Sequence, residues 1–168
     1  MKRIVPFVLI GIGIALFFGS GGWFDIKNKI AHPAAVVLPD QLAGLEMTVY
    51  KTGAQAAADF EDLHDQQFPL TSGAIGIYGD HKIIVWAAGA PLNFMAASMV
   101  VAMREKILQG GSSFTPVDEF DKEGRTVYVL EGMGQTHYYF RSNNLVIWLA
   151  AEPALADVAI NQILEDYP

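Results

Sequence analysis

Two ten-residue segments of this chain are so alike that they constrain the fold of everything around them. Residues 82–91 read KIIVWAAGAP and residues 144–153 read NLVIWLAAEP, and they align without gaps 62 positions apart. Each copy has a polar residue, three branched aliphatic residues, a tryptophan and a closing proline, so that Trp86 aligns with Trp148. A polar turn, a buried strand and an apolar helix opened by proline explain the pattern. The sequence therefore predicts a strand–helix unit that occurs twice.

The rest of the chain shows strand and helix periodicities in the order β-α-ββ-α-ββ-ββ-α. The first strand is predicted at residues 45–51, and three hairpins are predicted at residues 74–78 with 83–88, 114–120 with 125–130, and 136–140 with 145–150. This order predicts an α+β domain of two layers, an antiparallel sheet with helices packed mainly on one face. Its central portion is interpreted as an internal ββα duplication. The alternative is an accidental match between two buried strands.

The first 24 residues predict a single membrane-spanning helix. Residues 4–24 carry no charge, and as a helix they would be about 31 Å long, which matches the hydrocarbon core of a bilayer. A linker is then expected at residues 25–40 and a soluble domain at residues 41–168. The alternative is a cleaved signal peptide, but no A-x-A pattern is present, and Trp23 and Phe24 are typical of an interfacial aromatic belt.

The charges that flank this segment predict its orientation. Lys2, Arg3 and the terminal amine precede it, whereas Lys27 and Lys29 follow it. This small excess favours a cytoplasmic N-terminus in the cell membrane and an extracytoplasmic domain, in a periplasm or on the outer face.

Small residues recur within the predicted span at four-residue spacing, at Gly11, Ala15 and Gly19. They would share one helix face and allow a neighbouring helix to approach closely. The alternative is that glycines are simply common in such segments. The sequence therefore predicts a helix-packing face, with an integral membrane protein or a second copy as the partner.

Charge and composition exclude several classes of function. Beyond residue 24 the chain has nine basic and eighteen acidic residues, a net of 9 − 18 = −9, which would repel nucleic acid. Cysteine is absent, so disulfides, thiolate metal sites and cysteine nucleophiles are excluded. No G-x-S-x-G motif, phosphate loop or zinc-ligand spacing occurs. We therefore expect no enzyme activity and no cofactor, apart from the copper alternative described next.

One set of side chains has the chemistry of a Cu(I) site. Met95, Met99 and Met103 are four residues apart on one predicted helix, and Met133 precedes His137 by four. Thioether and imidazole ligands suit Cu(I) where cysteine is missing. The alternative is that the methionine stripe packs into the core.

The predicted helix after residue 91 is apolar on nearly all sides as far as Met103. Such a helix is covered on more than one side, either within the protein or by a partner or a second copy. Phe94 and the three methionines of this helix, with Trp86 and Trp148, are therefore predicted to be core or interaction residues. The expected function is that of a membrane-anchored, non-catalytic accessory or assembly subunit. The alternative is an extracytoplasmic ligand- or Cu(I)-binding module, anchored or secreted.

Overall fold

The computed structural model describes residues 22–64, 69–110 and 112–168. This part of the chain forms an α+β fold in which four helices accompany a large, mainly antiparallel sheet. The helices are α1 (Gly22–Ala31), α2 (Ala54–His64), α3 (Asn93–Leu108) and α4 (Pro153–Asp166). The strands are β1 (Ala34–Ala35), β2 (Gln41–Leu42), β3 (Leu45–Thr52), β4 (Ser72–Tyr78), β5 (Ile83–Gly89), β6 (Thr115–Lys122), β7 (Arg125–Gly132), β8 (Gln135–Ser142) and β9 (Leu145–Ala151).

The sheet has the strand order β2-β3-β4-β5-β9-β8-β7-β6, and β1 pairs in parallel with β4. All other neighbouring strands are antiparallel, and the three predicted hairpins are present as β4–β5, β6–β7 and β8–β9. The predicted α+β class with an antiparallel sheet is therefore confirmed. Elements α1, β1 and β2 were not predicted from the sequence.

The two repeated segments meet at the centre of the sheet. They form β5 and β9, which pair along their full length with Trp86 directly opposite Trp148. Both strands are apolar on both faces, as expected for strands covered on both sides. Pro153 lies in the first turn of α4, whereas Pro91 lies two residues before α3. The duplication itself stays a prediction.

The two-layer arrangement predicted from the sequence is corrected by the structure, because the helices cover both faces of the sheet. One face carries Trp86 and Trp148, and α2 and α3 pack on it; we call it the α3 face. The other face carries Val85 and Leu149, and α4 packs on it; we call it the α4 face. Side chains alternate along β5 and β9, so each strand supplies apolar residues to both layers.

The predicted linker also differs from the structure, because the folded domain begins before residue 41. None of the side chains of α1 is buried, but the chain that follows α1 joins the sheet and the core. Val36 and Leu38 are only 8% and 3% exposed. The Tyr50 hydroxyl donates to the Val36 carbonyl at 2.6 Å, and the Tyr78 hydroxyl donates to the Pro39 carbonyl at 2.8 Å. Residues 34–42 therefore belong to the domain and not to a linker.

The predicted membrane span lies almost entirely outside the described residues, which include only its last three positions, at the start of α1. Gly11, Ala15 and Gly19, the predicted helix-packing face, lie outside them as well. Within the described ranges, no helix combines the length and the apolar character needed to cross a membrane.

Candidate functional site

Helix α3 is the best candidate for a functional element, because it is apolar on two sides and the sheet covers only one. Its inner side holds Ala96 and Val100, which are 0% and 7% exposed and pack against strands β7, β8 and β9. Four partly buried side chains extend this contact: Met95, Met99, Met103 and Ile107. The methionine stripe therefore packs against the sheet, which is the core alternative considered from the sequence.

The outer side of α3 carries a row of large apolar side chains in solvent. Phe94 is 67% exposed, Val101 is 55% exposed and Leu108 is 60% exposed. These residues are seven positions apart, so they lie nearly in line along the helix. Ser98, which also lies on this side, donates its hydroxyl to the Phe94 carbonyl at 3.0 Å. We call the row of Phe94, Val101 and Leu108 the α3 stripe.

The nearest positive charge on this part of α3 is directed away from the α3 stripe. Arg104 donates to the Glu119 carboxylate on β6 at 3.0 Å, and its guanidinium lies 5.3 Å from the ring centroid of Tyr128 on β7. Both contacts hold the side chain over the sheet. The α3 stripe is therefore apolar at Phe94 and Val101, and the exposed Glu105 lies between Val101 and Leu108 on the same side.

An aromatic row crosses the α3 face beside the helix. Tyr128 stacks on Tyr139 with ring centroids 4.8 Å apart, and Tyr139 stacks on Trp148 at 5.4 Å. The rings come from β7, β8 and β9, because residues of neighbouring strands that share a face lie side by side. Burial raises the pKa of Tyr139 to about 12, so its phenol remains neutral near pH 7. This row supplies stacking surface and no ionised group.

His137 is buried at the end of this aromatic row, and its two ring nitrogens are both engaged. The Trp148 indole N–H donates to Nδ1 of His137 at 3.1 Å, and Nε2 lies 3.0 Å from the Gly132 carbonyl. Because an indole N–H can only donate, Nδ1 must be the unprotonated acceptor, and Nε2–H donates to Gly132. Phe114 packs edge-on against the imidazole with ring centroids 4.7 Å apart. Burial lowers the pKa of His137, which favours the neutral ring.

The structure places the residues of the predicted Cu(I) site in different surroundings, and the site itself stays a prediction. His137 has no nitrogen lone pair left for a metal, because Nδ1 accepts from Trp148 and Nε2 carries the other proton. Met133 lies in the turn between β7 and β8 and is 74% exposed. The three methionines of α3 pack against the sheet. Among the described residues, no group of three or more His, Asp or Glu side chains is placed to hold a metal ion.

The tryptophans and Phe94 were predicted together as core or interaction residues, and the structure separates them. Trp86 and Trp148 are half-buried on the α3 face, whereas Phe94 lies in solvent on the α3 stripe. The sequence analysis did not group Val101 and Leu108 with Phe94, although their spacing of seven residues indicates one side of a helix. It also missed the bond between Trp148 and His137, for which the sequence carries no signal.

The α4 face contains an open groove of about 500 Å³ between α4 and strands β6 to β8. Asp118, Glu131 and Asp157 lie around it, and Tyr138 lies in its floor. The Tyr138 hydroxyl donates to Asp157 at 3.4 Å, and burial raises the pKa of this tyrosine to about 12. Tyr138 is therefore a neutral hydrogen-bond donor near pH 7 and not a base.

Comparisons of the chain with protein-family models, with curated proteins and with solved structures found no match. The α3 stripe, the aromatic row and the open groove beside α4 are thus described from the geometry of this chain alone.

Proposed function

We propose that this chain is a membrane-anchored, non-catalytic interaction domain that acts as an accessory or assembly subunit and docks through the α3 stripe. The observation that carries this proposal is the exposure of Phe94, Val101 and Leu108, each more than half exposed along one side of α3. Exposed apolar side chains grouped on one side of an element are a mark of interaction sites in folded proteins.

The free energy available from this surface is substantial. Full burial of a valine, leucine or phenylalanine side chain contributes about 1.5–3 kcal/mol. A single exposed side chain of this type is ordinary on a protein surface, but three in line on one helix are not. Residues 91–103 carry no charge, so docking around Phe94 and Val101 would desolvate no charged group of the helix there, whereas Glu105 lies between Val101 and Leu108 on the same side and would need a positively charged group of the partner. A partner that covers the α3 stripe would therefore recover most of this free energy.

The N-terminal part of the described chain supports the membrane anchor in the proposal. Helix α1 buries none of its residues against the domain, and Trp23 and Phe24 at its start are 41% and 74% exposed. Both directly follow the uncharged residues 4–22, which places them where an interfacial aromatic belt is expected.

The charge distribution supports the same proposal. Residues 1–31 contain four basic residues and one acidic residue, a net of 4 − 1 = +3, whereas residues 32–168 contain seven and seventeen, a net of 7 − 17 = −10. The basic N-terminal part would be attracted to an anionic membrane surface, and the acidic domain would be repelled from it. We therefore propose a cytoplasmic N-terminus, a single span and an extracytoplasmic domain.

The proposal is tested by isolating the full chain from its native membrane in mild detergent, as the natural sequence and as two variants. Val101→Glu places a charge in the α3 stripe, and Val158→Glu is the matched control, because Val158 is 54% exposed on α4, on the opposite side of the sheet. Both positions are exposed, so neither change should alter stability by more than about 0.5 kcal/mol.

We expect a stoichiometric partner to be retained by the natural chain and by the Val158→Glu variant and to be lost from the Val101→Glu variant. If Val101→Glu isolates the same partner in the same ratio, docking through the α3 stripe is wrong. The intact mass of the isolated chain tests the anchor separately. A chain trimmed near residue 20 would contradict a membrane-anchored protein and indicate a cleaved signal peptide.

A further inference from the structure

We infer that Met133 is the residue of the folded domain that peroxide oxidises first, and that the fold tolerates the sulfoxide formed there and allows its reduction. Met133 is 74% exposed in the turn between β7 and β8. It belongs to none of the three clusters of apolar side chains that form the core of the domain. This inference is independent of the α3 stripe.

The turn that carries Met133 lies in open space at the end of the sheet. It has only two residues, Met133 and Gly134, because Gly132 pairs with Gln135. Both residues have a positive φ, 55° at Met133 and 78° at Gly134, as a tight hairpin turn requires. A Cβ added to Gly134 would meet no atom within 4 Å. Glycine, asparagine and aspartate are the usual residues at such a φ, so the backbone does not favour methionine here.

The other methionines within the described ranges are all half-buried. Met47 packs against the core on the α4 face, and the three methionines of α3 pack against the core on the α3 face. Met1 lies outside the described residues. An oxidant can reach these four packed thioethers only between neighbouring side chains, whereas the thioether of Met133 is in contact with water.

Oxidation of a thioether requires no catalytic group from the protein. A lone pair of the sulfur attacks one oxygen of hydrogen peroxide, the O–O bond breaks, and the second oxygen leaves as water. The sulfur is oxidised to the sulfoxide, and the peroxide is reduced. The rate at each methionine therefore depends mainly on the access of peroxide to the sulfur. Because the chain has no cysteine, no thiolate competes for the oxidant.

The surroundings of each methionine also determine what its sulfoxide does to the fold. A sulfoxide is polar and disrupts apolar packing when it forms in a core. Met99 contacts two of the apolar clusters on the α3 face, so its oxidation would place a polar S=O group among apolar side chains. At Met133 the S=O group forms in water. The backbone contacts of the turn, including the bond from Nε2 of His137 to the Gly132 carbonyl, do not involve the Met133 side chain.

The order of oxidation is measured on the full chain in mild detergent, with hydrogen peroxide as the oxidant and catalase to stop the reaction at successive times. Trypsin then gives one peptide, residues 126–141, in which Met133 is the only methionine. Met47 lies in residues 30–51, and the three methionines of α3 lie in residues 83–104. Fragment-ion mass spectrometry locates each added oxygen. We expect the sulfoxide to form several-fold faster at Met133 than at any of the other four. Equal or faster oxidation of one of these four would overturn the inference.

The same reaction in concentrated urea is the control for the role of the fold. Unfolding exposes all five thioethers, so their oxidation rates should become similar. If Met133 keeps the same advantage in the unfolded chain, its exposure in the structure is not the cause, and the inference is wrong.

Two glutamine variants test whether the fold tolerates the sulfoxide. Glutamine has a polar group on a side chain of similar length, so it imitates the oxidised residue without chemical treatment. We expect Met133→Gln to leave the midpoint of urea unfolding unchanged and Met99→Gln, the matched control on α3, to lower it. A midpoint lowered as much by Met133→Gln as by Met99→Gln would contradict tolerance at the turn.

Reversibility is tested on chain oxidised only at Met133. The two methionine sulfoxide reductases, one for each sulfoxide epimer, are added with dithiothreitol; the oxygen leaves as water while two thiols form one disulfide. The reductant breaks no bond in the protein, because the chain contains no cysteine. We expect residues 126–141 to return to the unoxidised mass. A sulfoxide that persists in the intact chain but is reduced in the isolated tryptic peptide would show that the turn does not admit the enzymes.

Discussion

The buried histidine should make the stability of this protein depend on pH in a way that one substitution removes. His137 is 3% exposed, and its neutral ring accepts from Trp148 at Nδ1 and donates to Gly132 from Nε2. Protonation would put a hydrogen on Nδ1, toward which the Trp148 indole N–H already points. The folded state therefore disfavours the charged ring, in agreement with the lowering of the His137 pKa by burial.

The sign and size of the effect follow from proton linkage. The unfolded chain has a histidine pKa of about 6.5, above that of folded His137, so the unfolded state binds the proton first as the pH falls. The contribution of His137 to the free energy of unfolding is therefore complete above about pH 6.5. Below that pH it decreases by up to about 1.4 kcal/mol per pH unit, until the folded pKa is reached.

His137→Gln replaces the ring by a side chain that does not titrate. At pH 7.5 we expect the variant to be less stable than the natural chain by about 1–3 kcal/mol, because two buried hydrogen bonds are weakened or lost. At pH 5.5 this deficit should shrink by up to about 1.4 kcal/mol, because only the natural chain loses the histidine contribution.

The assay is urea unfolding of the full chain in mild detergent at pH 7.5, 6.5 and 5.5, followed by far-UV circular dichroism. His32→Gln, which removes an exposed histidine, is the control for the loss of an imidazole. Titrating carboxylates affect the natural chain and the variants alike, so they cancel in the difference. A deficit of His137→Gln that is constant with pH, or that grows in acid, would refute the reasoning.

Two further predictions concern the packing of the domain. Arg125 is 8% exposed and donates to the Leu164 carbonyl at the end of α4 at 3.0 Å, so Arg125→Met should lower the free energy of unfolding by about 3 kcal/mol. Arg141→Met at an exposed arginine is the control, and a loss below about 1 kcal/mol for Arg125→Met in chemical denaturation would contradict the role of Arg125 in holding the end of α4. A Cβ at Gly89 would lie 2.0 Å from Oγ of Ser72, which must rotate away, so Gly89→Ala should lower the free energy of unfolding by about 1 kcal/mol. Adding Ser72→Ala should restore most of this loss in thermal unfolding, since it removes the clashing oxygen; a double variant as unstable as Gly89→Ala would show another cause.

The order of the strands and helices could be predicted because it depends on local pattern. The hairpin β8–β9, for example, shows apolar runs on either side of a polar turn, which is a sufficient signal for two paired strands. The bond between His137 and Trp148 could not be predicted in this way. Tyr139 is the direct partner of Trp148 and Ala150 is that of His137, so the two bonded residues are diagonal neighbours, and only the register brings them together.

The candidate site was only partly visible in the sequence for a related reason. Helix α3 is apolar on nearly all sides, so its sequence predicts two buried sides but not which of them faces the sheet. The contacts of Ala96 and Val100 with the sheet fix the rotation of the helix. That rotation places Phe94 in solvent and in line with Val101 and Leu108.

The sequence by itself determined that this chain forms an α+β domain, that two like segments form buried strands, and that a helix follows each of them. The tertiary structure decided that α3 and α4 lie on opposite faces of the sheet. Because β5 and β9 are apolar on both faces, the local sequence allows either helix to pack on either side. Contacts between residues distant in sequence determine on which face α4 packs. Arg125 donates to the Leu164 carbonyl at the end of α4, and the Tyr167 hydroxyl just beyond α4 donates to the Val37 carbonyl.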